Sequence, residues 1–89
     1  MAFKNVGPLT YLAPGAAAIW NYSYATDMGP QFACADIKSY GHHPRASPVF
    51  LADQQRKQRQ RNGNATYFVT ITNEGPNGGT HNLQGGGLT

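Results

Sequence analysis

The densest chemistry in this 89-residue chain is a run of positive charge, in which Arg56, Lys57, Arg59 and Arg61 place four of the seven basic residues close together with no acid between them. Cationic groups along an extended segment suit the phosphates of single-stranded nucleic acid, and the nearby Tyr67 and Phe68 offer rings on which bases could stack. The plainer reading is a solvated hairpin whose Lys and Arg side chains keep sheet edges from pairing with other chains. These four residues are the candidate binding residues. A second grouping, Trp20, Tyr22 and Tyr24, could form an aromatic platform for a sugar ring, with Asn21, Asn73, Asn77 or Asn82 supplying hydrogen bonds. Core packing is the more economical use of the same rings, because the opposite face of that segment offers only Ile19 and small or polar residues.

Neither catalysis nor metal binding has positive support in the sequence. His42, His43 and His81 are loosely placed, adjacent strand residues point to opposite faces, and no carboxylate or thiolate sits at ligand spacing, so surface histidines are expected. Cys34 has no neighbouring base and reads as a buried, inert thiol. Asp27, Asp36, Asp53 and Glu74 stand singly, so no Ser, His and acid constellation presents itself. The expectation is a protein that is not an enzyme and uses no cofactor and no metal. Asn21-Tyr22-Ser23 and Asn64-Ala65-Thr66 match the glycosylation pattern, a three-residue match too common to carry weight.

The elements that must position these groups read as strands and turns. Gly, Pro, Asn and Thr are plentiful, charge is sparse at 12%, and the apolar supply lies largely in one Trp, five Tyr and four Phe, which suit pleated, half-buried surfaces. Residues 2–13 carry Gly7-Pro8 in their middle and predict two short edge strands around a turn. After the Pro14-Gly15 turn, residues 16–25 alternate, with Trp20, Tyr22 and Tyr24 on one face. Residues 31–40 alternate again, setting Ala33, Ala35 and Ile37 against Phe32, Cys34, Asp36 and Lys38. A polar, proline-broken loop should then extend to Ser47-Pro48.

Residues 49–61 carry conflicting signals. Ser47, Pro48 and Asn62-Gly63 could start and stop a helix, yet such a helix would bury nothing after Val49, Phe50, Leu51 and Ala52, so a long strand is preferred. Asn62-Gly63 predicts a two-residue hairpin turn into residues 65–73, the best strand of the chain, with Tyr67, Val69 and Ile71 on one face. That turn would set Gln58, Arg56 and Gln54 opposite those apolar residues, an uncomfortable register. The distal half of the hairpin is therefore expected to project beyond the core. Thr80 to Gln84 allows one short closing strand, and residues 85–89 read as a flexible, Gly-rich tail.

Length permits one domain, over residues 1–84, with little area to spare for a deep cleft. One cysteine allows no internal disulfide, no apolar run approaches the ~20 residues of a membrane span, and no signal peptide is evident. A cytoplasmic location is the expectation from these features.

The string Tyr67 to Pro76 (Tyr-Phe-Val-Thr-Ile-Thr-Asn-Glu-Gly-Pro) resembles the penultimate strand of the immunoglobulin-like sandwich repeats of bacterial surface proteins. The resemblance covers about ten residues and implies a β-sandwich that serves as a spacer or adhesive stalk. The chain departs from those repeats where Asn82 to Gly87 replaces a long aliphatic final strand. Combined with the residues, it gives an expectation of an all-β protein: a small antiparallel β-sandwich, immunoglobulin-like, or an open barrel of five to seven strands. The expected core is Trp20, Tyr22, Tyr24, Ile37, Phe50, Tyr67, Val69 and Ile71. The expected function is binding, first to a protein partner or a second copy, next to carbohydrate, and then to single-stranded nucleic acid.

Overall fold

The structure, a computed structural model, describes residues 4–40 and 48–87. Seven strands form among them: β1 (Lys4–Asn5), β2 (Thr10–Leu12), β3 (Ala17–Tyr24), β4 (Gln31–Tyr40), β5 (Phe50–Arg59), β6 (Ala65–Asn73) and β7 (Gly79–Gly87). All pairings are antiparallel and the described residues contain no helix, so the strand reading of residues 49–61 holds. In one sheet β7 is central, with β4 on one side and β1 and β2 in succession along the other. In the second, β6 is central between β3 and β5.

The core lies between the two central strands. β6 alternates without a break, burying Ala65, Tyr67, Val69, Ile71 and Asn73 and leaving Thr66, Phe68, Thr70 and Thr72 half-buried on the outer face. Leu12, Ala33 and Leu83 meet Val69 and Ile71 from the opposing sheet, and Val6, Trp20, Tyr22 and Phe50 pack around them. Ile37, expected inside, is 39% exposed, because β4 is an edge strand whose ladder shifts between Ile37 and Ser39. Cys34 is exposed rather than buried: the inward positions of β4 are its neighbours Ala33 and Ala35, so the thiol points to solvent.

The largest departure concerns the glycine-rich end. Gly85, Gly86 and Gly87 are buried and belong to β7, paired with β4 on one side and, at Gly85, with β1 on the other. The expected tail is thus part of a central strand over those three residues, and Leu88 and Thr89 lie outside the described ones. The physical reason is close approach: a Cβ on Gly85 would stand 3.1 Å from the Tyr22 hydroxyl oxygen. Glycine weakens a strand by itself, yet here it admits an aromatic side chain against the backbone.

His81 is also not a surface residue. It is fully buried on β7 between Trp20 of β3 and Phe50 of β5, and the Trp20 indole N–H donates to its Nε2 at 3.3 Å. Pro48, expected at the end of an exposed loop, is buried beside Gly75. The predicted loop of residues 41–47, with His42 and His43, lies outside the described residues.

Candidate functional site

The basic residues sit on the β5–β6 hairpin, whose register differs from the two-residue turn expected from Asn62-Gly63. Gln60 N–H donates to the Asn64 carbonyl and Gly63 N–H to the Gln60 carbonyl, leaving Arg61, Asn62 and Gly63 as a three-residue loop with Gly63 at φ 92°. That is a turn closed by a left-handed glycine, a recurrent hairpin solution. The longer loop moves the register by one residue, so Lys57, and not Gln58, lies opposite Tyr67. Further along, β5 carries an extra residue between Asp53 and Arg56, with Gln54 at φ 53°.

This bulge resolves the conflict between the apolar start and polar end of β5. Before it, Phe50 and Ala52 oppose Asn73 and Ile71 on the core face. After it the parity has changed, and Lys57 and Arg59 oppose Tyr67 and Ala65. Gln55, within the bulge, turns toward the other sheet, where its Oε1 accepts the Ala33 N–H at 3.0 Å. One inserted residue thus converts a core strand into a polar seam.

The four basic side chains are consequently divided. Lys57 donates to a carboxylate oxygen of Asp27, Arg59 lies 3.9 Å from the other oxygen, and the Lys57 ammonium stands 5.7 Å from the centre of the Tyr67 ring. The Lys57 hydrogen bond, helped by the Gly29 N–H, holds the Asp27 carboxyl below the usual range, and the same bond raises Lys57. Arg56 points to the opposite face, opposed to Phe68, and Arg61 is exposed in the turn. Strand alternation thus sends neighbouring charges of the run to opposite sides.

The rings are engaged as well. Tyr22 stacks on Tyr67 at 5.5 Å between centroids, Tyr24 meets both edge-on, and the Tyr67 hydroxyl donates to the Gly29 carbonyl at 2.7 Å. Trp20, Tyr22 and Tyr24 are half-buried and face inward, as core packing requires. Burial and the neighbouring tyrosines push the Tyr22 phenol up to about 12.

At the other end of the sandwich Asn73 is fully buried and satisfied. Its amide nitrogen donates to the carbonyls of Leu12 and Asn77 at 3.0 and 2.8 Å, and its Oδ1 accepts the Gly75 N–H at 2.9 Å. It is a structural tie and not a sugar contact. Among the described residues, no group of three His, Cys, Asp or Glu could hold a metal ion.

What remains accessible is an edge. Among the described residues the two sheets present four edge segments, and three of these carry devices that block further pairing. The β1/β2 edge is made of two short strands interrupted by Pro8; β4 has its shift at Ile37, the charges Asp36 and Lys38, and the Gln55 contact to Ala33 N–H; β5 has its bulge and its cations. β3 has none of these. It is eight residues long, pairs with β6 in an unbroken register, and reads Ala-Ala-Ile-Trp-Asn-Tyr-Ser-Tyr, without charge or proline. Sequence reasoning identified the strand and its ring-lined face but missed the edge, because only topology says which strands lack a second neighbour.

The β3 ladder shows which backbone groups are free. Asn73 N–H donates to the Ala16 carbonyl, so even-numbered residues of β3 bond to β6, and the N–H and C=O groups of Ala17, Ile19, Asn21 and Ser23 face away from the sheet. Beside this edge, Ile19 is 77% exposed, and with Phe68, Thr70 and Arg56 it lines a shallow depression of about 270 Å³ on the outer face.

Fold and site together define a small, all-β, antiparallel two-sheet protein in which, among the described residues, one edge is unguarded. Compared with known proteins, the chain matches no family, no curated protein and no solved structure. Among the described residues, no helix is long and apolar enough to cross a membrane.

Proposed function

We propose that the protein is a non-catalytic interaction module that engages a protein strand along the free edge of β3. The observation that supports this is the contrast between edges: a charge-free, bulge-free strand of eight residues beside three edges that are broken, bulged or charged. An added strand gains backbone hydrogen bonds to Ala17, Ile19, Asn21 and Ser23 and an apolar contact at Ile19. The immunoglobulin-like resemblance is compatible with this use, since an adhesive repeat works by contact and not by chemistry.

Amide chemical-shift mapping with short, uncharged, β-prone peptides tests the reading. Shifts should concentrate on the odd-numbered residues of β3, with little change at Leu83 or Ile71. If every peptide leaves the β3 amides unmoved, and they show no protection at any protein concentration, the module reading fails.

A further inference from the structure

Resting on that reading, we propose that the strand received at the β3 edge is β3 of a second copy of this chain, added antiparallel about a two-fold axis. The pairing is self-complementary at the backbone. Each copy offers the N–H and C=O groups of the same four residues, so an antiparallel partner matches donors to acceptors in both directions, as a closed two-fold interface requires.

The side chains agree with the backbone. The outer-face residues beside the edge are Ala17, Ile19, Asn21 and Ser23, none of them charged. Whatever the register, Ile19 meets an uncharged residue of its partner. On the inner face the half-buried rings of Trp20, Tyr22 and Tyr24 lie at the open flank of the aromatic cluster, where the partner's rings prolong the row.

Charge distribution decides between a second copy and a partner of opposite charge. The chain carries a formal net charge of +3, which by itself opposes self-association. Four of its cations, however, lie on β5 and its turn, with β6 between them and β3. Pairing through β3 builds a six-stranded sheet running from β5 to β5, which sets the two basic edges about 24 Å apart, well beyond the ~8 Å screening length at physiological salt. Pairing through β5 would bring those cations into register and repel. An acidic partner would be drawn to β5, away from the uncharged edge.

Sedimentation equilibrium on the full chain, with hydrogen exchange on the same samples, tests the proposal. The 9.6 kDa chain should double in mass as concentration rises from micromolar to millimolar, with slowing exchange at the amides of Ala17, Ile19, Asn21 and Ser23. Asn21→Pro removes an outward N–H that the fold does not use and should weaken the dimer at least about tenfold, while Trp20 fluorescence and the melting point stay near wild type. Asn21→Lys, which keeps that N–H, should weaken it too, and more strongly at low salt, because the two lysines then share one interface. A wild-type chain that stays monomeric at millimolar concentration overturns the proposal, as does a dimer that survives both substitutions. If the monomeric chain still binds uncharged peptides along β3, only self-pairing falls; if it binds none, the module reading falls with it.

Discussion

At the residue scale, two buried polar side chains account for much of the specificity of the core. Asn73 ties the ends of β2 and β6 to the turn that follows, and Asn73→Ala would leave the Leu12 and Asn77 carbonyls and the Gly75 N–H without that partner. A loss of about 3 kcal/mol is expected, read as a large drop in denaturation midpoint with little change in the dependence on denaturant. His81 acts differently, because burial lowers its pKa and the backbone at Thr10 offsets this only in part. In the unfolded chain the imidazole titrates at its ordinary value near 6.5, whereas the folded protein resists the proton. The unfolded state therefore binds more protons as pH falls through that value, and stability, full above it, declines toward the lower folded pKa. A proton on Nε2 would also face the donating Trp20 N–H, so the only tryptophan should report the titration by its fluorescence. A midpoint at or above pH 6.5 would contradict this. Tyr22 gives the opposite sign: with its phenol raised to about 12, stability is complete below pH 10 and is lost as pH rises through the folded value.

At the scale of elements, glycine serves two unrelated purposes that substitution can separate. Gly63 has φ 92° and open space around its Cα, so Gly63→Val should cost about 1–2 kcal/mol through the backbone alone, loosening the hairpin turn without disturbing any ring. Gly85→Val has no such backbone problem but drives a side chain toward Tyr22, and should cost about 1–3 kcal/mol. Near-ultraviolet circular dichroism distinguishes them, since only the second displaces an aromatic ring. The same contrast explains what the sequence conveyed. Alternation in residues 17–24 and 65–73, and the Gly7-Pro8 and Pro14-Gly15 breaks, reported local geometry and were legible. Gly85 to Gly87 looked like a tail because glycine carries no pattern of its own, and its place in β7 is set by tyrosine and by two neighbouring strands. The β5 bulge was not legible: the sequence showed only an uncomfortable pairing opposite Tyr67, Val69 and Ile71, and a run of polar residues carries no pattern that places an extra residue at Gln54. For the candidate site, the basic residues were visible as a run, while their division between two faces required that register.

At the scale of the whole molecule, the shape follows from how unevenly the core is spread. The Cα radius of gyration is 14.1 Å, against about 12 Å for a compact chain of this length, and the long axis of 47 Å is roughly twice the next. The fully buried aliphatic residues Val69, Ile71 and Leu83 hold the middle, whereas residues 53–60 are all exposed. The exposure is confined to the β5 arm, and the hairpin's distal half does not project as expected, because Ala65 and Tyr67 on the β6 arm are buried, Tyr67 against Tyr22 and Tyr24. Opening should therefore be graded. Among the amides bonded within the fold, native-state hydrogen exchange is expected to be slowest at Ile71 and Leu83 and fastest in the hairpin turn at residues 60–63, with Asp27→Asn, which removes the charge facing Lys57 and Arg59, increasing exchange in the hairpin alone. Acid should act in the reverse spatial order. The Asp27 carboxyl, held below its ordinary 3.8, keeps the hairpin tether to lower pH, while His81 in the centre begins to destabilise the fold below pH 6.5. Between those values, exchange at Leu83 and Ile71 should accelerate while the tether remains. Uniform acceleration along the chain, or loss of hairpin protection first, would show that the two ends do not open independently.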